Sequence, residues 1–110
     1  MHLNLLCMSN SQQVSHFGNL NCLVLLFNKE KEIFTRQELK VLCLAIDRKS
    51  NKEIGDILFI SIYTVKRHKA NIADKLHIKG SKAFQDFLWD TAKMVLEYHK
   101  IDTKVSILHL

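Results

Sequence analysis

The side chains best placed to do chemistry lie between residues 50 and 76. Lys66, Arg67 and Lys69 are three cations within four residues of a helical stretch. Ser50, Asn51, Lys52 and Thr64 sit at two helix starts, where free N–H groups and the helix dipole favour an anion. Together these are groups that bind phosphate, and Lys or Arg can also reach the O6 and N7 acceptors of guanine. Catalytic and metal chemistry is not indicated. The six histidines (His2, His16, His68, His77, His99 and His109) contain no pair at metal-ligand spacing. There is no Gly-rich phosphate loop and no GxSxG. Asp86 and Asp90, one helical turn apart beside Lys82 and Lys93, read as surface charges. Cys7, Cys22 and Cys43 are odd in number and form no CxxC, so they read as reduced thiols. No catalytic residue, metal or cofactor is expected.

Four helices position the cations. Thr35 with Glu38 makes a capping box, and Leu39, Leu42 and Ile46 give the helical spacing of a segment ending near Asp47–Lys49. Ser50 with Glu53 opens a second, short helix with Ile54, Ile57 and Leu58 on one face. Phe59-Ile60 breaks the pattern. Ser61 caps a third helix running to about Leu76, with Val65, Ile72 and Leu76 turned inward. Its other face carries Lys66, Arg67, Lys69, Ala70, Asn71 and Asp74. Two short helices joined by about three residues, the second basic outside, is the arrangement of a helix-turn-helix: the first helix braces and the second enters the major groove. After Gly80-Ser81 a long amphipathic pattern carries Phe84, Phe87, Leu88, Thr91, Val95 and Tyr98 to about His99, with Trp89 and Leu96 off that stripe. The tail from Lys104 alternates weakly, as a short strand or a frayed end.

Composition supports a single, small helical domain. The chain has 110 residues, three Gly and no Pro, too little punctuation for an all-β sandwich. Its net charge is +5. Residues 34–82 hold eleven Lys/Arg against five Asp/Glu, so the basic excess is concentrated on the candidate site. Residues 1–28 hold no formal charge at all. Their apolar patches, Leu3–Met8 and Leu20–Phe27, flank a polar stretch, and three uses fit: packing on the domain, pairing with a second copy, or the remnant of an upstream region. Lys29–Glu32 forms a charged hinge or a helix start. The apolar run Cys22–Phe27 is too short to span a membrane.

The strings Ser50-Asn51-Lys52-Glu53-Ile54, Leu58-Phe59-Ile60-Ser61, Thr64-Val65-Lys66-Arg67-His68, Asn71-Ile72 and Lys75-Leu76 resemble the LuxR/GerE-type helix-turn-helix. Phe34-Thr35-Arg36-Gln37-Glu38 and Val41-Leu42 resemble that family's opening helix. The resemblance, over about residues 34–84, implies the output domain of a bacterial transcription regulator. Its fold is all-α, with four helices; here it has an extended last helix and an uncharged N-terminal extension. By position, the resemblance implies base reading by Lys66, Arg67 and Ala70. It implies phosphate binding by Ser50, Asn51, Lys52, Thr64 and Lys69. It implies a dimer contact on the last helix, for which Phe84, Phe87, Leu88, Thr91, Val95 and Tyr98 are the candidates; covering the first helix and the N-terminal segment is the other use of that stripe. His68 reads as a packing or hydrogen-bonding residue and Asn71 as a brace.

Four departures from the family pattern carry expectations. Gln37, where Arg is usual, removes an internal ion pair. Arg48, where Gly is usual, changes the turn or adds a phosphate contact. His77, also a usual Gly, leaves the third helix without its best C-cap. The family's Arg just beyond falls on Ser81 or Lys82.

The expected organisation is an extension over residues 1–33, the helix-turn-helix domain over 34–100 and a tail over 101–110. The expected function is sequence-specific DNA binding in the cytoplasm that regulates transcription, with double-stranded DNA as partner, a homodimer at least on DNA, RNA polymerase as a further partner, and no membrane. Two alternatives differ in kind: a sigma-like promoter-recognition piece, and a protein-interaction module on the same fold with DNA binding weak or lost. With only 33 residues ahead of the helix-turn-helix, a receiver domain does not fit, so the chain reads either as a stand-alone effector or as a piece of a longer regulator.

Overall fold

The computed structural model describes residues 16–109, with side chains to residue 101. The patch Leu3–Met8 and Cys7 lie outside the described residues. Among the described residues five helices follow one another, α1 (Leu20–Phe27), α2 (Arg36–Ile46), α3 (Asn51–Leu58), α4 (Ile62–Lys75) and α5 (Ser81–His109), and there is no strand. The all-helical architecture and the long last helix match the sequence expectation.

α2 is the hub. Every residue from Val41 to Ile46 is buried, and Leu39 with them, so the C-terminal half of this helix is apolar and enclosed all round, while Arg36 at its start is exposed. α1, α4 and α5 pack against it, and α3 packs mainly on α4. Ile54, Val65 and Ile72 insert from the α3–α4 pair, and Leu88 and Val95 from α5. The second apolar patch of the uncharged N-terminal segment packs within the chain: α1 buries Cys22 and Leu23 against α2 and α5. Burial pushes the Cys43 thiol up to about 11 and raises Cys22 as well, leaving these two thiols protonated at neutral pH.

The connection from α1 to α2 is an irregular loop, so Lys29–Glu32 starts no helix. Asn28 closes it. The Asn28 amide donates to the Phe34 carbonyl at 2.9 Å, and its Oδ1 accepts from the N–H groups of Ile33 and Phe34 at 3.2 Å. Phe34 is thereby delivered into the core, edge-on to Phe27 at 5.4 Å, and Phe27 in turn meets Phe87 at 6.0 Å.

Both capping boxes form: Thr35 and Ser50 each accept from the N–H three residues on, and Glu38 and Glu53 each reach back to the cap N–H. α2 and α4 end in the same way. Lys49 N–H bonds Leu44 O at 3.1 Å and Arg48 N–H bonds Ala45 O at 3.0 Å; Ile78 and His77 repeat the pattern on Ala73 and Asp74. These are Schellman closures, which need a left-handed residue after the cap. Arg48 (φ 66°) and His77 (φ 57°) supply it without being glycine. The turn at Arg48 thus keeps the conformation that glycine favours, and α4 closes on a left-handed His77 in place of the glycine that would cap it best. The Arg48 guanidinium bonds Gln85 Oε1 at 3.0 Å and lies 4.3 Å from the Trp89 ring, tying the turn to α5.

Two further expectations are corrected on α5. The helix continues to His109, ten residues past the expected end and through the stretch read as a strand or frayed tail, because no Gly or Pro interrupts it. The stripe offered as a dimer seam faces inward. Leu88, Thr91 and Val95 are buried, and Phe84 and Phe87 are half-buried against the core; Tyr98 is exposed at the margin. The apolar surface of α1 and α2 had to be covered, and this stripe covers it.

Candidate nucleic-acid interface

α4 is held from beneath and from one flank. Val65 and Ile72 are fully buried against α2. Glu38 on α2 receives the Lys75 ammonium at 2.6 Å, and Lys75 also lies 5.9 Å from the Phe34 ring. Burial alone would raise the Glu38 carboxyl. The Lys75 hydrogen bond, the Thr35 backbone bond and the nearby charges of Lys75 and His68 outweigh it and hold the carboxyl below its usual value. Among the described residues this ion pair joins a buried carboxylate to a partly exposed ammonium across α2 and α4. His68 is half-buried as expected of a packing residue, with its Nδ1 unpartnered.

The turn between α3 and α4 is tight. Phe59 takes a left-handed conformation (φ 60°), and Ile60 N–H bonds Gly55 O at 3.0 Å. A Cβ on Gly55 would stand 2.7 Å from the Ile60 carbonyl, so the small residue lets the turn fold back on α3. Ser61 then caps α4 by accepting from Thr64 N–H.

At 100° per residue, the face opposite Val65 and Ile72 holds Tyr63, Lys66, Arg67, Ala70 and Asp74. All five are exposed. The three residues expected to read bases thus share one solvent-facing surface, over about one turn. None of the hydrogen bonds or ion pairs found among the described residues engages Lys66 or Arg67.

The five residues expected to bind phosphate are more committed. Lys69 is half-buried, which lowers the pKa of its ammonium, and it donates to Asn51 Oδ1 at 2.6 Å, joining α4 to the start of α3. Thr64 and Ser61 hydroxyls lie 2.9 Å apart. The Ser50 hydroxyl accepts from Glu53 N–H at 3.1 Å and keeps its own proton to donate. Lys52 pairs with Asp56 at 3.1 Å, with both side chains largely exposed, an attachment water or a phosphate can break. Asn51 and Lys69 are brought together and so brace the two helices; Ser50, Lys52 and Thr64 stay at the helix starts.

Sequence reading passed over Tyr63. The signal was present: Tyr63 is seven residues from Ala70 and three from Lys66, central to the face already drawn. It also passed over the Arg48–Gln85–Trp89 contact, whose partners lie 37 or more residues apart.

A short brace helix, a three-residue turn and a second helix with one buried and one cationic face define a helix-turn-helix. Residues 32–85 match the family of bacterial regulatory proteins, luxR family (GerE). That segment is a LuxR/GerE-family helix-turn-helix domain. The chain is 53% identical over 47 residues to the transcriptional regulatory protein LiaR of Bacillus subtilis (strain 168), a stretch covering 43% of this chain and 22% of that protein. It is 44% identical over 52 residues to the transcriptional regulatory protein DegU of Brevibacillus brevis, covering 47% and 22%. With the oxygen regulatory protein NreC of Staphylococcus carnosus (strain TM300) it shares 35% identity over 60 residues, covering 54% and 28%. The matched stretches thus span about a quarter of these relatives' lengths. No solved structure matches the chain.

Proposed function

We propose that this protein is a sequence-specific DNA-binding regulator of transcription that acts by binding, not turnover. α4 lies in the major groove, with Lys66 and Arg67 directed at base edges and Ala70 permitting close approach one turn on. Ser50, Lys52 and Thr64 contact phosphates beside the groove, and the Asn51–Lys69 bond fixes the two helices at the angle the groove requires. The observation that carries this reading is the exposed face of Tyr63, Lys66, Arg67 and Ala70 on a helix whose other face is locked into the core. The luxR-family match over 32–85 and the transcriptional regulators among the relatives support it. No described helix is long and apolar enough to cross a membrane, in keeping with a protein that meets DNA in the cytoplasm. Two copies bind together on DNA in this proposal, one half-site each. On α5, Leu96 and the part of Trp89 not covered by Arg48 are exposed on the side away from the buried stripe and are offered for that contact.

The test is a binding titration against duplex DNA across a salt series. The proposal expects log affinity to fall linearly with log salt. It expects Lys52→Ala to weaken binding to all sequences about equally and to reduce that slope by about one. Salt-independent binding, or no duplex binding at low salt, contradicts it and favours the protein-interaction alternative.

A further inference from the structure

Tyr63 is a large side chain left 74% exposed at the N-terminal turn of α4, with no hydrogen bond or ring contact found for it among the described residues. A tyrosine in water gains nothing for the fold, and aromatic side chains are favoured where an apolar body meets a partner. Its angular position lies between those of Lys66 and Arg67, in line with Ala70 and Asp74. Whatever lies against Lys66 and Arg67 therefore also lies against the Tyr63 ring. The first turn of such a helix is the part that enters the groove most deeply.

We infer that Tyr63 is a specificity-determining residue whose ring packs on the C5-methyl group of a thymine in the major groove, next to the bases contacted by Lys66 and Arg67. The inference rests on the groove-reading function proposed above. A ring offers no bidentate hydrogen-bonding edge, so guanine or adenine edges suit it less, and the methyl group of thymine is the apolar feature that the groove displays. The surrounding charge selects the partner: cations flank the ring on both sides, which suits a polyanion. Ala70, small and about two helical turns further along, keeps that end of the face open to the groove.

The experiment uses duplexes selected by the full-length wild-type chain from a random-sequence pool. Each thymine is replaced in turn by deoxyuridine, which removes only the methyl group. Wild type is expected to lose about fourfold in affinity at one thymine per half-site. Tyr63→Ala is expected to bind the parent duplex about that much more weakly and to lose nothing further on the uracil duplex. Tyr63→Phe is expected to keep the sensitivity to the methyl group, because the ring and not the hydroxyl makes the contact. Equal thermal unfolding of the three proteins establishes that the fold is not the cause. A Tyr63→Ala protein as sensitive to every uracil as wild type overturns the inference, as does a wild type that selects duplexes yet responds to no uracil. A reduced salt slope without any change at a base marks a phosphate contact, and unchanged DNA binding marks a protein contact; each also overturns it. If wild type selects no sequence, the groove-reading function itself fails and takes the inference with it.

Discussion

At the scale of single residues, the left-handed caps offer the clearest test of backbone against side chain. Arg48 and His77 both stand where glycine would relieve strain, at roughly 1–2 kcal/mol for a left-handed L-residue less the added chain entropy of glycine. His77 is exposed, so His77→Gly is expected to stabilise the domain by about 0.5–1 kcal/mol in chemical denaturation. Arg48→Gly also breaks the bond to Gln85 and the stacking on Trp89, worth about 0.5–1 kcal/mol at an exposed site, and is expected to be close to neutral. A gain for Arg48→Gly as large as for His77→Gly would show that the Trp89 contact contributes nothing. Glu38 supplies a pH test. Its folded-state pKa is depressed below 4.5, so its stabilising contribution is present above that value and lost as pH falls through the folded pKa. Glu38→Gln is expected to cost about 1–3 kcal/mol at neutral pH and to flatten the loss of stability measured on acidification. The Thr35–Glu38 and Ser50–Glu53 boxes were legible in the sequence because cap and partner are three residues apart. The bond from Glu38 to Lys75 was not, because it spans 37 residues and exists only once α2 and α4 are packed.

Among the elements, α2, α3 and α4 were readable because their apolar residues recur at helical spacing between strong caps. α1 was only half readable. Its apolar run was visible, but nothing local says that it folds back on α2 and α5. That return depends on Asn28, whose three bonds reach five and six residues along a loop without regular structure. Asn28→Ala leaves the Ile33 and Phe34 N–H groups and the Phe34 carbonyl without these partners. It is expected to cost about 1–3 kcal/mol and to raise hydrogen exchange in α1 before α3 and α4. Uniform exchange across all the helices would show that α1 is no separable layer. α5 illustrates why a stripe does not identify its partner. The spacing of Phe84, Phe87, Leu88, Thr91 and Val95 was correct, but periodicity alone cannot tell a seam between two chains from a core within one. Once Leu23, Phe27 and Leu42 are considered together, the apolar surface beneath the stripe is already present in the chain.

For the whole molecule, the basic residues and the apolar residues are sorted by sequence region before they are sorted in space. The uncharged helix α1 supplies a cover for the core, the segment 34–82 supplies the cationic face, and α5 ties the two together across a molecule 44 Å long. This sorting made the candidate interface legible: Lys66, Arg67 and Ala70 stand exposed together because Val65 and Ile72 anchor the opposite face. Exposure itself was less legible, which is why Lys69 proved half-buried and bonded to Asn51, and why Tyr63 was overlooked. The central claim is that α4 selects DNA by sequence through Lys66 and Arg67. Its most direct measurement is recovery of genomic duplex fragments by the purified protein and by a Lys66→Ala/Arg67→Ala variant at equal occupancy, read by sequencing. The expected result is a shared motif enriched by the wild type and lost by the variant, which still retains weak, salt-sensitive binding. Equal enrichment of the same fragments by both proteins would contradict the account.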